Sequence, residues 1–260
     1  MIWLAGSLWG CARSPGLVTP GSRPQRWEVS VAVGSGARSL SAHYTLASEP
    51  AGDDVWVVWT EHSRGWWEDD LGSYAYDSAA PADTDPWPLT LQHLVASVPA
   101  RLQLDPVGVP IAVLEADAWQ AEARRRFAAS ALPSAALPIG EPLLDPAGLL
   151  ADLARTFPGA PPDGVWQRAE EIAGVWGVRR EDCAHTLVGH GSTWDCAGSV
   201  TSPPDADARM HEVHTTTRLE VDAHGLQLHT SRYTGTLIAA GPSGEVRDRP
   251  VAGLRRTVRR

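Results

Sequence analysis

The sequence predicts a β-rich α+β fold made of two duplicated antiparallel-sheet halves with short helices between them. Three observations carry this expectation. Apolar and polar residues alternate with period two through much of the chain, a nine-residue hairpin signature occurs twice, and two segments of helical spacing lie between the copies.

Taken in order, Trp27, Val29, Val31 and Val33 alternate with Glu28, Ser30 and Ala32, the pattern of a strand with one buried face. Leu40, Ala42, Tyr44 and Leu46 predict a second strand. After the turn-like SEPAGDD, residues 55–62 (VWVVWTEH) are apolar on both faces, which suits a central strand. Residues 101–109 read RLQLDPVGV and residues 218–226 read RLEVDAHGL, four positions being identical. Each sets Asp first and Gly fourth, the chemistry of a type I turn whose glycine takes positive φ and closes a hairpin. Pro106 suits the second turn position, where φ is fixed. A Trp-bearing segment precedes each copy, RWEVSV at Arg26 and GVWQRA at Gly164.

Between the copies, residues 117–131 predict a helix carrying Trp119 and Phe127. Asp145-Pro146 reads as an N-cap followed by proline at the first helical position, and Leu149, Leu150, Leu153 and Phe157 then recur at helical spacing. Pro158-Gly159 stops that helix. Residues 132–142, rich in Pro and Ala, read as a connection. The expected organisation is a leader and tether over 1–25, a first β half over 26–116, a helical connection over 117–160 and a second β half over 161–260.

Ile2 to Gly10 form an apolar run of signal-peptide length, too short to span a bilayer. Leu8-Trp9-Gly10-Cys11 resembles the lipobox of bacterial lipoproteins, in which cleavage leaves the cysteine first and lipid-modified. Trp9 stands where that motif takes a small residue, and basic residues ahead of the run would lie upstream of Met1. Residues 12–25, rich in Pro, Gly and Ser, then serve as a flexible tether. The expectation is an exported protein anchored by lipid at Cys11 in the outer membrane or periplasm. The alternative is a frayed terminus holding a buried cysteine.

The segment FPGAPPDGVW, Phe157 to Trp166, together with the paired D-x-x-G hairpins, resembles an uncharacterised family of secreted bacterial proteins and lipoproteins. Its members carry two β repeats joined by such a stretch. The resemblance covers residues 27–258 and implies an exported β protein. It supplies no catalytic residues.

Composition excludes several classes. The net charge of −9 argues against a nucleic-acid partner, which wants a basic face. The chain has neither lysine nor asparagine, so Schiff-base chemistry, a P-loop lysine and Asn-linked glycans are ruled out. The sequence contains no G-x-S-x-G, HExxH, Walker loop or strand-borne G-x-G-x-x-G. A non-enzymatic protein without cofactor is expected, with a hydrolase lacking named motifs as the residual possibility. GHGST at Gly189 reads as a turn. If that hairpin centres between Gly189 and His190, Cys183 faces Cys196 and His185 faces Trp194, which predicts a disulfide. A zinc site of Cys183, His185 and Cys196 is the alternative. His211 and His214 fall on opposite faces of a regular strand.

Two ligand-binding readings remain. Trp66, Trp67, Glu68, Asp69 and Asp70, with Tyr74 and Tyr76, form a candidate sugar platform of stacking faces and carboxylates. A curved sheet enclosing a lipid or other apolar ligand is the second, and another envelope protein is a further candidate partner. The arginines at 247, 249, 255, 256, 259 and 260 read as a solvated strand edge, the alternative being a patch that attracts anionic lipid or glycan.

Overall fold

The structure is a computed structural model describing residues 24–260 except 37, 53, 71, 82–84, 86, 106–107, 131, 134–135, 160–163, 173–174, 204–207, 223–224 and 241–245. The leader, Cys11, most of the tether and Pro106 lie outside the described residues. The chain runs β1 (Gln25–Ser35), β2 (Arg38–Pro50), β3 (Val55–Asp69), β4 (Gly72–Asp77), α1 (Trp87–Ala96), β5 (Ala100–Leu104), β6 (Pro110–Leu114) and α2 (Ala116–Ala129). The short α3 (Leu137–Gly140) leads through a 3-10 turn into α4 (Pro146–Thr156). Six strands follow: β7 (Val165–Ile172), β8 (Val175–Val188), β9 (Gly191–Thr201), β10 (Ala208–Asp222), β11 (Gly225–Ala240) and β12 (Val246–Arg259).

The fold is β-rich, as expected, but the strands form one sheet. Its order is β6-β5-β3-β2-β1-β12-β11-β10-β9-β8-β7, with β4 also paired to β3, and the described pairings are antiparallel. The first and last strands meet at its centre, in register from Trp27↔Arg259 to Ser35↔Val251. This corrects the reading of the C-terminal arginines as a strand edge. β12 is hydrogen-bonded on both sides, and its alternate residues, Arg255 among them, face the protein interior.

The two hairpin glycines do share a conformation, with φ of 85° at Gly108 and 99° at Gly225. In the first turn the Asp105 carboxylate accepts from the Val109 amide at 2.8 Å. Duplication of whole halves is not established. β5–β6 sits at the sheet margin, where β5 pairs β3, whereas β10–β11 lies within a continuous meander.

The C-terminal half curls strongly. Strands lie roughly 4.8 Å apart, so four steps from β7 to β11 would cover about 19 Å in a flat sheet. Yet the Trp166 ring on β7 is 6.3 Å from His229 on β11, and Arg179 Nη2 on β8 reaches the Arg232 carbonyl on β11 at 3.4 Å. Glycine permits the close approaches this requires. A Cβ at Gly253 would meet the Tyr233 ring at 2.2 Å, and one at Gly235 would meet the Val213 backbone at 2.7 Å. A bulge at Glu212 (φ 50°) also corrects the expectation for His211 and His214. It shifts the register so that they pair with Thr236 and Thr234, and both project outward.

The N-terminal half buries its inner face under the helices. Trp27, Trp56 and Phe157 pack with ring centroids 5.0–6.2 Å apart, each at most 2% exposed. Phe157 opens the FPGAPPDGVW segment, so that stretch ends α4 by plugging the sheet. α4 starts as expected, the Asp145 carboxylate accepting from the Ala147 amide at 3.0 Å. α2 buries Trp119 and Phe127. Residues 132–142 are more than a connection, since Ala136 is fully buried and α3 forms there. α1 was not anticipated, although Leu91, Leu94, Val95 and Val98 have helical spacing.

Candidate functional site

Alternation along each strand sends one set of residues toward the helices. From β2 these are Ala42, Tyr44 and Leu46, and from β3 Val58, Thr60, Ser63 and Gly65. The helices return Leu89, His93, Val95 and Ala96 from α1, Trp119 from α2, and Leu149 and Leu153 from α4. A Cβ at Gly65 would be tight against the Ser41 carbonyl at 3.2 Å and in contact with Leu89 of α1 at 3.4 Å. Between the layers remains a mostly apolar cavity of about 100 Å³.

Its polar atoms are few and mostly engaged. Ser63 Oγ lies 2.8 Å from His93 Nδ1, and burial lowers the His93 pKa, with His62 and Arg126 adding to the effect. Burial pushes the Tyr76 phenol up to about 12.

At the sheet's centre the cavity meets a cationic waist. Arg255 on β12 donates to Asp152 Oδ1 at 2.7 Å, Thr156 Oγ1 at 2.6 Å and the Tyr44 phenol oxygen at 3.3 Å. Burial works against its charge, but Asp152 and Tyr44 outweigh this and raise its pKa. Burial, aided by Asp152, raises Tyr44 to about 12, so it remains a neutral phenol at neutral pH.

Beyond Arg255 lies a second cavity of about 230 Å³, lined by Val31, Val33, Arg155, Arg168, Ser231, Tyr233, Gly253, Leu254 and Arg255. Further along, the curled half buries polar groups. Arg179 and Glu181 pair at 2.7 Å with both side chains 1% exposed, and Arg179 also donates to Thr217 Oγ1 at 2.9 Å. His229 is fully buried, its ring nitrogens without a hydrogen bond of normal geometry. Burial, then the charges of Arg168, Arg255 and Arg179, hold its pKa well below the usual value.

The other anticipated residues fall as follows. Cys183 and Cys196 are directly paired on β8 and β9, with Cα atoms 4.0 Å apart, and form a disulfide. His185 stacks on Trp194 at 4.6 Å, as that register requires. Trp66 and Trp67 lie in β3, in the β3–β4 hairpin, and adjacent strand residues face opposite ways. Trp67, Tyr74 and Tyr76 follow the inner alternation, while Trp66 stands 40% exposed on the outer face with Glu68 and Asp70. Trp66 lines an open cleft of about 450 Å³ with His43, Arg64 and Asp77. Asp69 makes contacts of its own.

Sequence reasoning missed Arg255, Asp152 and Tyr44 as a unit, since they are distant in sequence and meet only through β1–β12 pairing. No group of three or more metal-ligating side chains occurs among the described residues, and no described helix is long and apolar enough to cross a membrane.

No protein-family model matches the sequence, and no curated protein does. Among solved structures the fold is similar to part of lipovitellin, in a structure concerned with its lipid–protein interactions. The TM-score is 0.56 at 7% identity, over 93% of this chain and 25% of the lipovitellin chain. The chain therefore spans about a quarter of that protein's length, and the likeness is one of fold.

Proposed function

We propose that this chain is an exported, non-enzymatic carrier, tethered by lipid at Cys11, that holds a lipid or other apolar ligand between its helical layer and its sheet. The observation that carries the reading is the apolar cavity walled by Leu46, Val58, Leu89, Val95, Trp119 and Leu153. The fold likeness to lipovitellin supports it. At about 100 Å³ the cavity falls short of the roughly 300 Å³ at which ligand pockets begin, so loading requires the layers to part. α4 is fixed by Phe157 and Arg255, which leaves the shorter α1 as the element that moves outward.

Titration with Nile Red, a neutral apolar dye, tests the reading. One dye per chain should bind, and Ala96→Phe, which fills the cavity, should abolish binding without unfolding the protein. No binding by folded wild type would refute it. For the anchor, labelled palmitate should enter the wild type and not Cys11→Ser, with any upstream leader included. Label persisting in the variant removes the anchor. A glycan-binding alternative rests on the exposed Trp66 beside Arg64 and Asp77, and requires Trp66→Ala to abolish any sugar-induced change in fluorescence.

A further inference from the structure

Two cavities on one side of the sheet meet at a single charged partition. Asp152 and Tyr44 line the apolar cavity under the helices, and Arg255, bonded to both, lines the cavity at the waist. Arg155, one turn beyond Asp152 on α4, faces the waist cavity, as does Arg168 on β7. Three guanidiniums thus converge there, and among the described residues that line it none is acidic. Asp152 lies behind Arg255 and 3.7 Å from Arg155 and pairs with both, and Arg168 has contacts of its own. Arg168 stacks over Trp166 at 4.7 Å, which fixes its planar head. Ser231 and Tyr233 add hydroxyls to the wall.

A planar guanidinium matches carboxylate and phosphate oxygens, and its charge-assisted hydrogen bonds are stronger than neutral ones. Three of them line this one cavity. The neighbouring His229, neutral and buried, fits an interior that is already positive.

We propose that the carried ligand is an anionic amphiphile, its acyl tail under α1 and α4 and its carboxylate or phosphate head at Arg155, Arg168 and Arg255. This rests on the carrier reading above and adds the head-group chemistry and the ligand's orientation. Arg255 holds α4 to the sheet as well as facing the head, so the variants of choice are Arg155→Gln and Arg168→Gln, combined.

Displacement of bound Nile Red by four competitors tests the proposal: palmitate, 1-palmitoyl-lysophosphatidate, 1-hexadecanol and inorganic phosphate. In wild type at least one anionic amphiphile should displace the dye about tenfold better than hexadecanol, and the tighter anion identifies the source of the head. The double variant should lose that preference while its affinity for hexadecanol is unchanged. Equal displacement by hexadecanol in wild type overturns the head-group site and leaves the carrier standing. So does equal weakening of every competitor in the double variant, and so does phosphate competing as well as the amphiphiles. Failure of Nile Red to bind at all overturns the carrier and the head-group site together.

Discussion

Removing the Cys183–Cys196 bridge tests both the register of β8–β9 and the energetics of the curled half. The bridge spans a sequence separation of 13, and the chain-entropy relation for a loop of that size gives about 3 kcal/mol near room temperature. A packing term adds to this in the double alanine variant, because Cys196 is 4% exposed within the main core and loses its sulfur, at a cost of roughly 1 kcal/mol. Urea denaturation of three species separates the two terms. Reduced wild type keeps both sulfurs and should lose about 3 kcal/mol against oxidised wild type, and Cys183→Ala/Cys196→Ala should lie slightly lower still. Intact mass of oxidised protein should be two hydrogens lighter than the reduced form. Two free thiols in protein from an oxidising compartment, or a difference under about 1 kcal/mol between oxidised and reduced wild type, would refute the reasoning.

Further outcomes follow from single sites. Gly108→Ala and Gly225→Ala should each cost about 1 kcal/mol in chemical denaturation, since both glycines hold positive φ, and no cost at either would mean that its turn relaxes freely. Arg179→Met alone should cost about 3–5 kcal/mol by stranding the buried Glu181 carboxylate, whereas Arg179→Met/Glu181→Leu should recover most of it; equal losses would show that the pair itself stabilises the fold. His229 has a depressed folded pKa, so below the ordinary value near 6.5 the unfolded chain takes up a proton that the folded chain does not. Stability should therefore fall as pH drops below about 6.5, by up to roughly 1.4 kcal/mol per unit, with His93 contributing in the same direction. In His229→Leu the fall should shrink, and an unchanged pH profile would place its origin elsewhere.

Local chemistry was the legible part of this fold. The period-2 run from Trp27 to Val33, the Asp145-Pro146 cap and the D-x-x-G turns are set by neighbours within a few residues. The Gly189–Ser192 turn likewise fixed the register that joins the two cysteines, because a hairpin's centre determines every pair along it. What remained hidden depends on long-range pairing. Nothing near Arg255 announces that β12 lies against β1 rather than at an edge, so its partnership with Asp152 and Tyr44 had no local signal. α1 was obscured because Trp87 to Val98 follows a long series of strand patterns. The expectation that His211 and His214 take opposite faces failed on one residue, since the bulge at Glu212 inverts the alternation. Trp66 and Trp67 looked like one aromatic patch because adjacency in sequence says nothing of face until the strand is known.

The central claim, that the helical layer and sheet enclose an apolar ligand, is met most directly by what the protein carries when isolated. Cys11→Ser protein, which lacks the proposed anchor and can be purified from its native host without detergent, should yield, on organic extraction and mass spectrometry, about one acyl-chain amphiphile per chain. Cys11→Ser/Ala96→Phe protein prepared the same way should yield none. Folded Cys11→Ser protein that carries no extractable apolar molecule, and takes none up when lipid is supplied, would contradict the account.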